Sequence, residues 1–183
     1  MNSAEQILTA DVESLAGEVR DLLDKQAIRE LLARYARSVD RYDWEAMRAC
    51  FTDEATDDHG VIQGTADDLI EGVKKIMPSS RGWMHNLFQQ NIELRGDRAI
   101  GETYCQSHHR EDSADHEGEE EDCVSGLRYV DEFARVDGEW KIARRVTVYE
   151  WSCRWPARDW LPVDQFTKGR PDRGDVSYTF GLS

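Results

Sequence analysis

The sequence has little positive charge, few cysteines and no long apolar run. Lys and Arg number 23 against 37 Asp and Glu, which gives a formal net charge of −14. Nucleic acids and anionic membrane surfaces bind basic patches, so this balance argues against both as partners. Without an apolar stretch of about 18 residues, we expect no transmembrane helix. Residues 1–19 are acidic and lack the basic and apolar regions of a secretory signal, which favours a cytoplasmic chain.

The four cysteines show neither CxxC spacing nor a dense disulfide framework, and they are Cys50, Cys105, Cys123 and Cys153. This pattern is typical of free thiols in a reducing compartment. The chain has 183 residues, of which 39% are hydrophobic and 33% charged. That composition and length predict one globular domain with a real core.

Helical patterns dominate the first part of the chain. Residues 4–24 and 24–39 carry apolar side chains at every third or fourth position, which predicts helices. Asp43 can cap a short helix over 44–50, and Thr65 can cap a helix over 66–76. Between these two helices, a short strand pair or turn is predicted around Gly60.

After Pro78 the pattern changes to strands. A Gly-containing turn at 95–97 and the Asp137-Gly138 dipeptide each indicate a hairpin. The predicted strands are 84–94, 98–110, 123–136 and 139–151. The acidic run 111–122 is predicted to be a solvated loop, and 152–183 a tail that packs over the domain or a neighbour. Helices followed by an antiparallel meander predict an α+β fold with a concave pocket.

Two stretches resemble a known family. They are KQAIRELLARYARSVDRYDWEAMRACFTDEATDDHG and GLRYVDEFARVDGEWKIARRVTVYEW, and both resemble the SnoaL-like branch of the nuclear-transport-factor-2-like superfamily. The resemblance implies a cone in which N-terminal helices pack in a strongly curved antiparallel sheet. It covers roughly residues 24–152, so residues 1–152 are predicted to form the domain with an N-terminal helical extension, and 153–183 an aromatic tail that acts as a lid or an oligomer contact. Because the superfamily hosts enzymes and non-catalytic subunits, the fold alone does not fix a function.

Within this superfamily, the chain is most similar to the group of scytalone dehydratase, hexachlorocyclohexane dehydrochlorinase and bile-acid dehydratase. The group shares an aspartate at the end of the long helix and a histidine at the start of a strand that faces the pocket. In this chain, Asp40 and His85 match these two residues. The bile-acid dehydratase pattern adds Tyr35, and the scytalone dehydratase pattern adds His109. Where the latter pattern has a pocket tyrosine, this chain has His59, which could serve as a proton donor in its place.

The resemblance implies acid/base chemistry without a metal or organic cofactor. An aspartate bonded to one imidazole nitrogen fixes the tautomer and raises the basicity of the other. A donor such as His109, His59 or Tyr35 would protonate a leaving hydroxyl. The implied function is a lyase that dehydrates a hydrophobic aromatic or polycyclic alcohol or removes formaldehyde from it. The alternatives are a double-bond isomerase with the same base and a non-catalytic subunit, against which the Asp40 and His85 pair weighs.

Further side chains on the strands could line an aromatic pocket or pack in the core. These candidate substrate-binding residues are Trp83, Phe88, Tyr104, Arg128, Tyr129, Arg145 and Trp151, together with His59. The two arginines could also pair with acids. His108 and His109 are neighbours on a strand and point to opposite faces, with His109 predicted inside. The resemblance also implies a homo-oligomer, with a trimer favoured.

Overall fold

In a computed structural model of the chain, which describes residues 3–76, 80–115 and 117–182, the N-terminal region forms one helix. This helix, α1, spans Ser3–Asp40, so the two predicted helices are continuous and Gly17 does not interrupt them. Its C-terminal half buries Ile28, Leu32 and Tyr35 against the sheet. Residues 11–23 are exposed almost all round. No helix in the described ranges is long and apolar enough to cross a membrane.

Short elements follow α1 and close one end of the fold. They are α2 (Trp44–Ala49), β1 (Phe51–Asp58), β2 (Gln63–Thr65) and α3 (Ala66–Ile76). The Asp43 carboxylate accepts the backbone N–H of Ala46 at 3.2 Å and caps α2. Thr65 and Asp68 each accept the other's backbone N–H, at 3.2 and 2.9 Å, and so cap α3. Both predicted caps are confirmed.

A six-stranded mixed sheet forms the body of the domain. Its long strands are β3 (Ser80–Arg95), β4 (Arg98–Asp112), β5 (Glu120–Val136) and β6 (Glu139–Pro156). The strand order is β2-β1-β6-β5-β4-β3. The predicted antiparallel meander is confirmed for β3 to β6, and the α+β class with it. The sheet is not wholly antiparallel, because β1 pairs with β6 in parallel.

The acidic run contributes more to the sheet than predicted. Strands β4 and β5 include its first two and last three residues, so the connecting segment is only 113–119, of which His116 lies outside the described residues. Arg110 donates to Asp122 at 2.7 Å and to Asp159 at 2.9 Å. These ion pairs offset the repulsion between neighbouring acids, which is why the strands extend into the run.

The C-terminal tail returns to the end of α1. After β6 it contains a 3-10 turn (Val163–Gln165) and the short helix α4 (Val176–Thr179). Arg37 donates to the Ser177 hydroxyl at 3.3 Å and to the Leu182 carbonyl at 3.1 Å. The tail therefore packs on the helix end that carries Asp40. A role as lid or oligomer contact stays a prediction.

A row of charged residues crosses three strands inside the domain. Asp57 on β1 aligns with Arg145 on β6, which aligns with Asp131 on β5. Arg145 is 0% exposed and donates to both carboxylate oxygens of Asp131, at 2.7 and 2.8 Å. Its guanidinium lies 4.2 Å from the Tyr35 ring centroid and 4.1 Å from that of Tyr129. Burial raises the pKa of Asp131, and the charge of Arg145 opposes this shift.

Breaking this buried pair from one side should destabilise the domain strongly. Arg145→Met leaves the Asp131 carboxylate buried without its partner, which typically costs about 3–5 kcal/mol. The double variant Arg145→Met/Asp131→Leu removes the unpaired charge and should recover most of that loss. Urea unfolding of the two variants and the natural chain measures both effects. A single variant as stable as the natural chain would show that the ion pair does not hold the core together.

Candidate active site

The end of α1 and the edge strand β3 meet through two hydrogen bonds. Nδ1 of His85 lies 2.7 Å from Oδ1 of Asp40, and the backbone N–H of His85 donates to Oδ2 at 3.2 Å. The two side chains are 8% and 14% exposed. Since the Asp40 carboxylate accepts a hydrogen bond from Nδ1–H, the neutral ring keeps its lone pair on Nε2. Within the described ranges, Nε2 of His85 has no hydrogen-bond partner. The structure thus brings together the two residues predicted to form the acid/base pair.

A cavity of about 310 Å³ opens beside this pair, between α1 and β3. It is lined by Ala33, Ala36, Arg37, Asp40, Arg41, His85 and Leu87. Its volume is at the lower end of the range for small-molecule sites. The lining combines an apolar wall with two guanidinium groups, which suits an apolar ligand that carries an oxygen substituent.

His109 lies on the inner face of the sheet, as predicted, and its ring stacks on Trp83 with centroids 3.6 Å apart. The ring centroid of His85 is 6.4 Å away. Nε2 of His109 and Nε1 of Trp83 are buried and lack hydrogen-bond partners among the described residues. Buried polar atoms are nearly always paired, so these two atoms favour a polar group of a ligand at this position. His108 points to the other face, with Nε2 3.2 Å from the Asp122 carboxylate.

Burial keeps the His109 ring neutral. It lowers the pKa of His109 to about 3, and repulsion from His85 and His108 adds to the shift. A neutral imidazole can donate its N–H to a substrate oxygen and polarise it. A general acid would need the imidazolium form, which burial disfavours. His109 is therefore suited to polarise a substrate oxygen through a hydrogen bond rather than to protonate a leaving group.

A second Asp–His pair lies on the other side of the concave face. Nδ1 of His59 is 3.0 Å from Oδ1 of Asp57 and 3.0 Å from the Thr147 hydroxyl. The His59 side chain is 24% exposed, whereas that of Asp57 is 1% exposed. Neither Asp57 nor Thr147 was predicted from the sequence. The signal was present in Thr56-Asp57-Asp58-His59, because residues two apart on a strand share a face.

No metal site accompanies these histidines in the part of the chain that the structure describes. No group of three or more His, Cys, Asp or Glu side chains there could hold a metal ion. All four cysteines are free, and Cys50 and Cys105 are buried. Burial raises the pKa of the Cys105 thiol, which disfavours the thiolate that a metal ligand or nucleophile needs.

Three predicted site residues belong to the core instead. Arg145 is fully buried and bonded to Asp131, so it cannot reach a substrate oxygen. Tyr35 and Tyr129 are 3% and 1% exposed, and their rings meet edge to face with centroids 5.9 Å apart. Burial raises the pKa of both phenols above the ordinary value. The Tyr35 ring therefore stabilises the Arg145 guanidinium through a cation–π contact, and its hydroxyl is not placed to deliver a proton to a substrate.

Four other predicted binding residues lie on the opposite face of the sheet. Phe88, Tyr104, Arg128 and Trp151 line a separate cavity of about 530 Å³ on the outer surface. Successive side chains alternate between faces, so residues next to inner positions such as Cys105 point outward. Arg128 is paired there with two glutamates of neighbouring strands, at 2.5 and 2.6 Å. These four side chains therefore do not line the cavity beside His85, and a role in substrate binding stays a prediction for them.

The fold and the site together define a class of protein. The chain belongs to the SnoaL-like domain family, which it matches over residues 20–146. An uncharacterised protein of Mycobacterium tuberculosis is 24% identical over 132 residues, or 70% of this chain and 86% of that protein.

Solved structures share the fold. A provisionally named scytalone dehydratase from Novosphingobium aromaticivorans has a TM-score of 0.66 at 20% identity, covering 80% of this chain and 97% of that one. The type 2 hexachlorocyclohexane dehydrochlorinase LinA has a TM-score of 0.68 at 15% identity, covering 79% and 97%. At these identities the likeness establishes the fold alone.

The neutral state of His109 predicts a specific pH dependence of stability. Its pKa is about 3 in the folded chain and 6.5 in the ordinary state, so the unfolded chain binds more protons between these values. This contribution to stability is present above pH 6.5 and is lost as pH falls toward 3. From pH 6.5 to 4 the loss should be roughly 3 kcal/mol. In urea titrations, the free energy of unfolding of His109→Gln should therefore fall by roughly 3 kcal/mol less than that of the natural chain between pH 6.5 and pH 4. Parallel curves for the two proteins would contradict the neutral assignment.

Proposed function

We propose that the chain is a cofactor-independent lyase that removes water, or a small carbonyl fragment such as formaldehyde, from a hydrophobic aromatic or polycyclic alcohol. The observation that carries the proposal is the double hydrogen bond between His85 and Asp40, at 2.7 and 3.2 Å. A binding subunit needs no imidazole held in one tautomer beside a cavity. The fold's likeness to a dehydrochlorinase supports elimination chemistry.

His85 acts as the general base through Nε2. It takes a proton from a carbon next to a carbonyl or aryl group, and the carbon–hydrogen electron pair becomes the new double bond as the carbon–oxygen bond breaks. In the retro-aldol variant, the base takes the proton of a hydroxyl, and the carbon–carbon bond breaks to release formaldehyde. The carbanion that remains, stabilised by the neighbouring carbonyl or aryl group, takes a proton back from the His85 imidazolium. The Asp40 carboxylate stabilises the imidazolium that forms, since it already accepts the Nδ1 proton.

His59 is the acid that protonates the leaving hydroxyl. Its Nδ1 is held by Asp57 and Thr147, which leaves Nε2 to carry the transferable proton. The departing hydroxide takes this proton and leaves as water, and the proton on His85 returns to His59 through solvent. His109 and the indole N–H of Trp83 donate to a substrate oxygen, which accounts for two buried polar atoms that lack partners.

The apolar wall at the site supports a hydrophobic substrate. Ala33, Ala36 and Leu87 face the cavity beside the pair, and Trp83 offers a stacking surface behind it. The base and the acid lie toward opposite edges of the sheet, on β3 and after β1. Because the proton and the hydroxyl leave neighbouring carbons, the proposal requires that the curvature of the sheet bring both rings to the same part of the substrate.

Substitution of Asp40 or His85 should abolish turnover without unfolding the protein. A panel of aryl and polycyclic alcohols, followed by ultraviolet absorbance for a new conjugated double bond and by a formaldehyde assay, identifies a substrate. On that substrate, Asp40→Asn and His85→Ala should each lower kcat at least about 100-fold. His108→Gln is the matched control, because that ring points to the outer face, and it should keep full activity.

The outcomes separate the related functions. Turnover that survives both substitutions would remove the pair from the mechanism and contradict the proposal. A shifted double bond without release of water or formaldehyde would make the chain an isomerase with the same base. Tight binding without turnover would favour a non-catalytic subunit. His59→Gln should slow loss of hydroxide but leave a substrate with a better leaving group largely unaffected.

A further inference from the structure

The N-terminal half of α1 carries an apolar stripe that the domain does not cover. Val12, Leu15, Val19 and Leu22 follow one another at intervals of three, four and three residues, and they are 59%, 60%, 45% and 66% exposed. In the sequence, the same spacing extends back to Leu8. Large apolar side chains in a continuous exposed row favour an interaction surface rather than a solvated helix face. We call residues 8–22 the seam segment.

The seam segment faces away from its own domain. If the exposed stripe continued with the same spacing, its next position after Leu22 would be Gln26. The stripe that is buried in the core starts instead at Ile28 and continues with Leu32 and Tyr35. An offset of two residues turns the direction by about 200° around a helix. The two apolar stripes therefore lie on nearly opposite sides of α1, and the sheet that buries one cannot bury the other.

The residue types in the seam segment specify the kind of partner. An interval of 3.5 residues is the repeat of a coiled coil, and it assigns Val12 and Val19 to the a positions and Leu8, Leu15 and Leu22 to the d positions. A β-branched residue at a with leucine at d favours two parallel strands. The seam thus favours two chains over the three expected from the family resemblance.

The flanking charges agree with parallel pairing. In a parallel coil, each g position faces the e position five residues on in the partner chain. Asp11 then faces Ala16 and Glu18 faces Leu23, so no like charges meet across the seam. In an antiparallel coil centred on Leu15, g positions face each other and Glu18 would lie opposite Asp11 of the other copy, which is repulsive.

Acidic side chains on the rest of the segment exclude a membrane surface as the partner. They are Asp11, Glu13, Glu18 and Asp21, against Arg20 as the single basic residue between 11 and 22. Anionic lipids would repel such a helix. A second copy of the chain, by contrast, meets this surface only along its apolar stripe.

We propose that residues 8–22 of α1 pair with the same segment of a second copy as a parallel two-stranded coiled coil. The exposed fractions of Val12, Leu15, Val19, Leu22 and Leu23 leave roughly 500 Å² of surface on each copy, so pairing buries about 1,000 Å². That area is at the lower limit of specific interfaces, which predicts a dimer that forms in the micromolar range. The two domains then lie at the same end of the coil.

Mass measurement on matched variants tests the pairing. By sedimentation and light scattering, the natural chain should have twice its 21.1 kDa mass at about 100 μM. Leu15→Glu/Val19→Glu should reduce this to the mass of one chain. At a concentration low enough for both proteins to be single chains, thermal unfolding should be unchanged, because both side chains are exposed in the single chain. Ser14→Glu/Gly17→Glu adds the same charge to the same helix, at positions that do not face the partner chain, and this variant should stay dimeric. A Cβ at Gly17 meets nothing within 4 Å.

A cysteine at one end of the seam tests the orientation. Cys153 is the exposed thiol and is first replaced by serine. In that background, Leu22→Cys should form an interchain disulfide under mild oxidation, because parallel d positions lie side by side. In an antiparallel coil centred on Leu15 the two thiols would be about 20 Å apart along the axis. A natural chain of single or triple mass, a Leu15→Glu/Val19→Glu variant that stays dimeric, or the absence of the Leu22→Cys crosslink would each overturn the proposal.

Discussion

The two hydrogen bonds that Asp40 accepts from His85 are the contact on which the site depends. A carboxylate at the C-terminal end of a helix opposes the helix dipole, and this end is also crowded by the tail. The compensation comes from the ring N–H and backbone N–H of one residue on the edge strand. One contact therefore fixes the position of α1 against β3, the tautomer of His85 and the wall of the cavity.

A buried row of charges supports the opposite side of the concave face. Asp57, Arg145 and Asp131 align across three strands, and His59 extends the row toward solvent through its contact with Asp57. Unpaired charges in a core are strongly destabilising, so these groups hold each other in place. The same row explains why an arginine expected to bind substrate is an internal part of the fold.

Features that depend on a few neighbouring residues could be predicted from the sequence. The face of the sheet on which a strand residue lies could not. The caps at Asp43 and Thr65 and the hairpin at Asp137-Gly138 follow from side-chain chemistry within a few residues. The Asp40 and His85 pair came from resemblance to a family. Tyr104 was misplaced because one residue of register decides which face a side chain takes, and bulges in the long strands shift that register. The burial of Arg145 depends on a partner fourteen residues away on another strand.

The central claim is that Asp40 holds His85 with its proton on Nδ1 and its lone pair on Nε2. Long-range ¹H–¹⁵N NMR of the histidine rings tests it directly, with His85 signals assigned by their loss in His85→Gln. The account predicts a protonated Nδ1 and a bare Nε2 in the neutral ring, and loss of that preference in Asp40→Asn. A proton on Nε2 in the natural chain, or the same tautomer in both proteins, would contradict it.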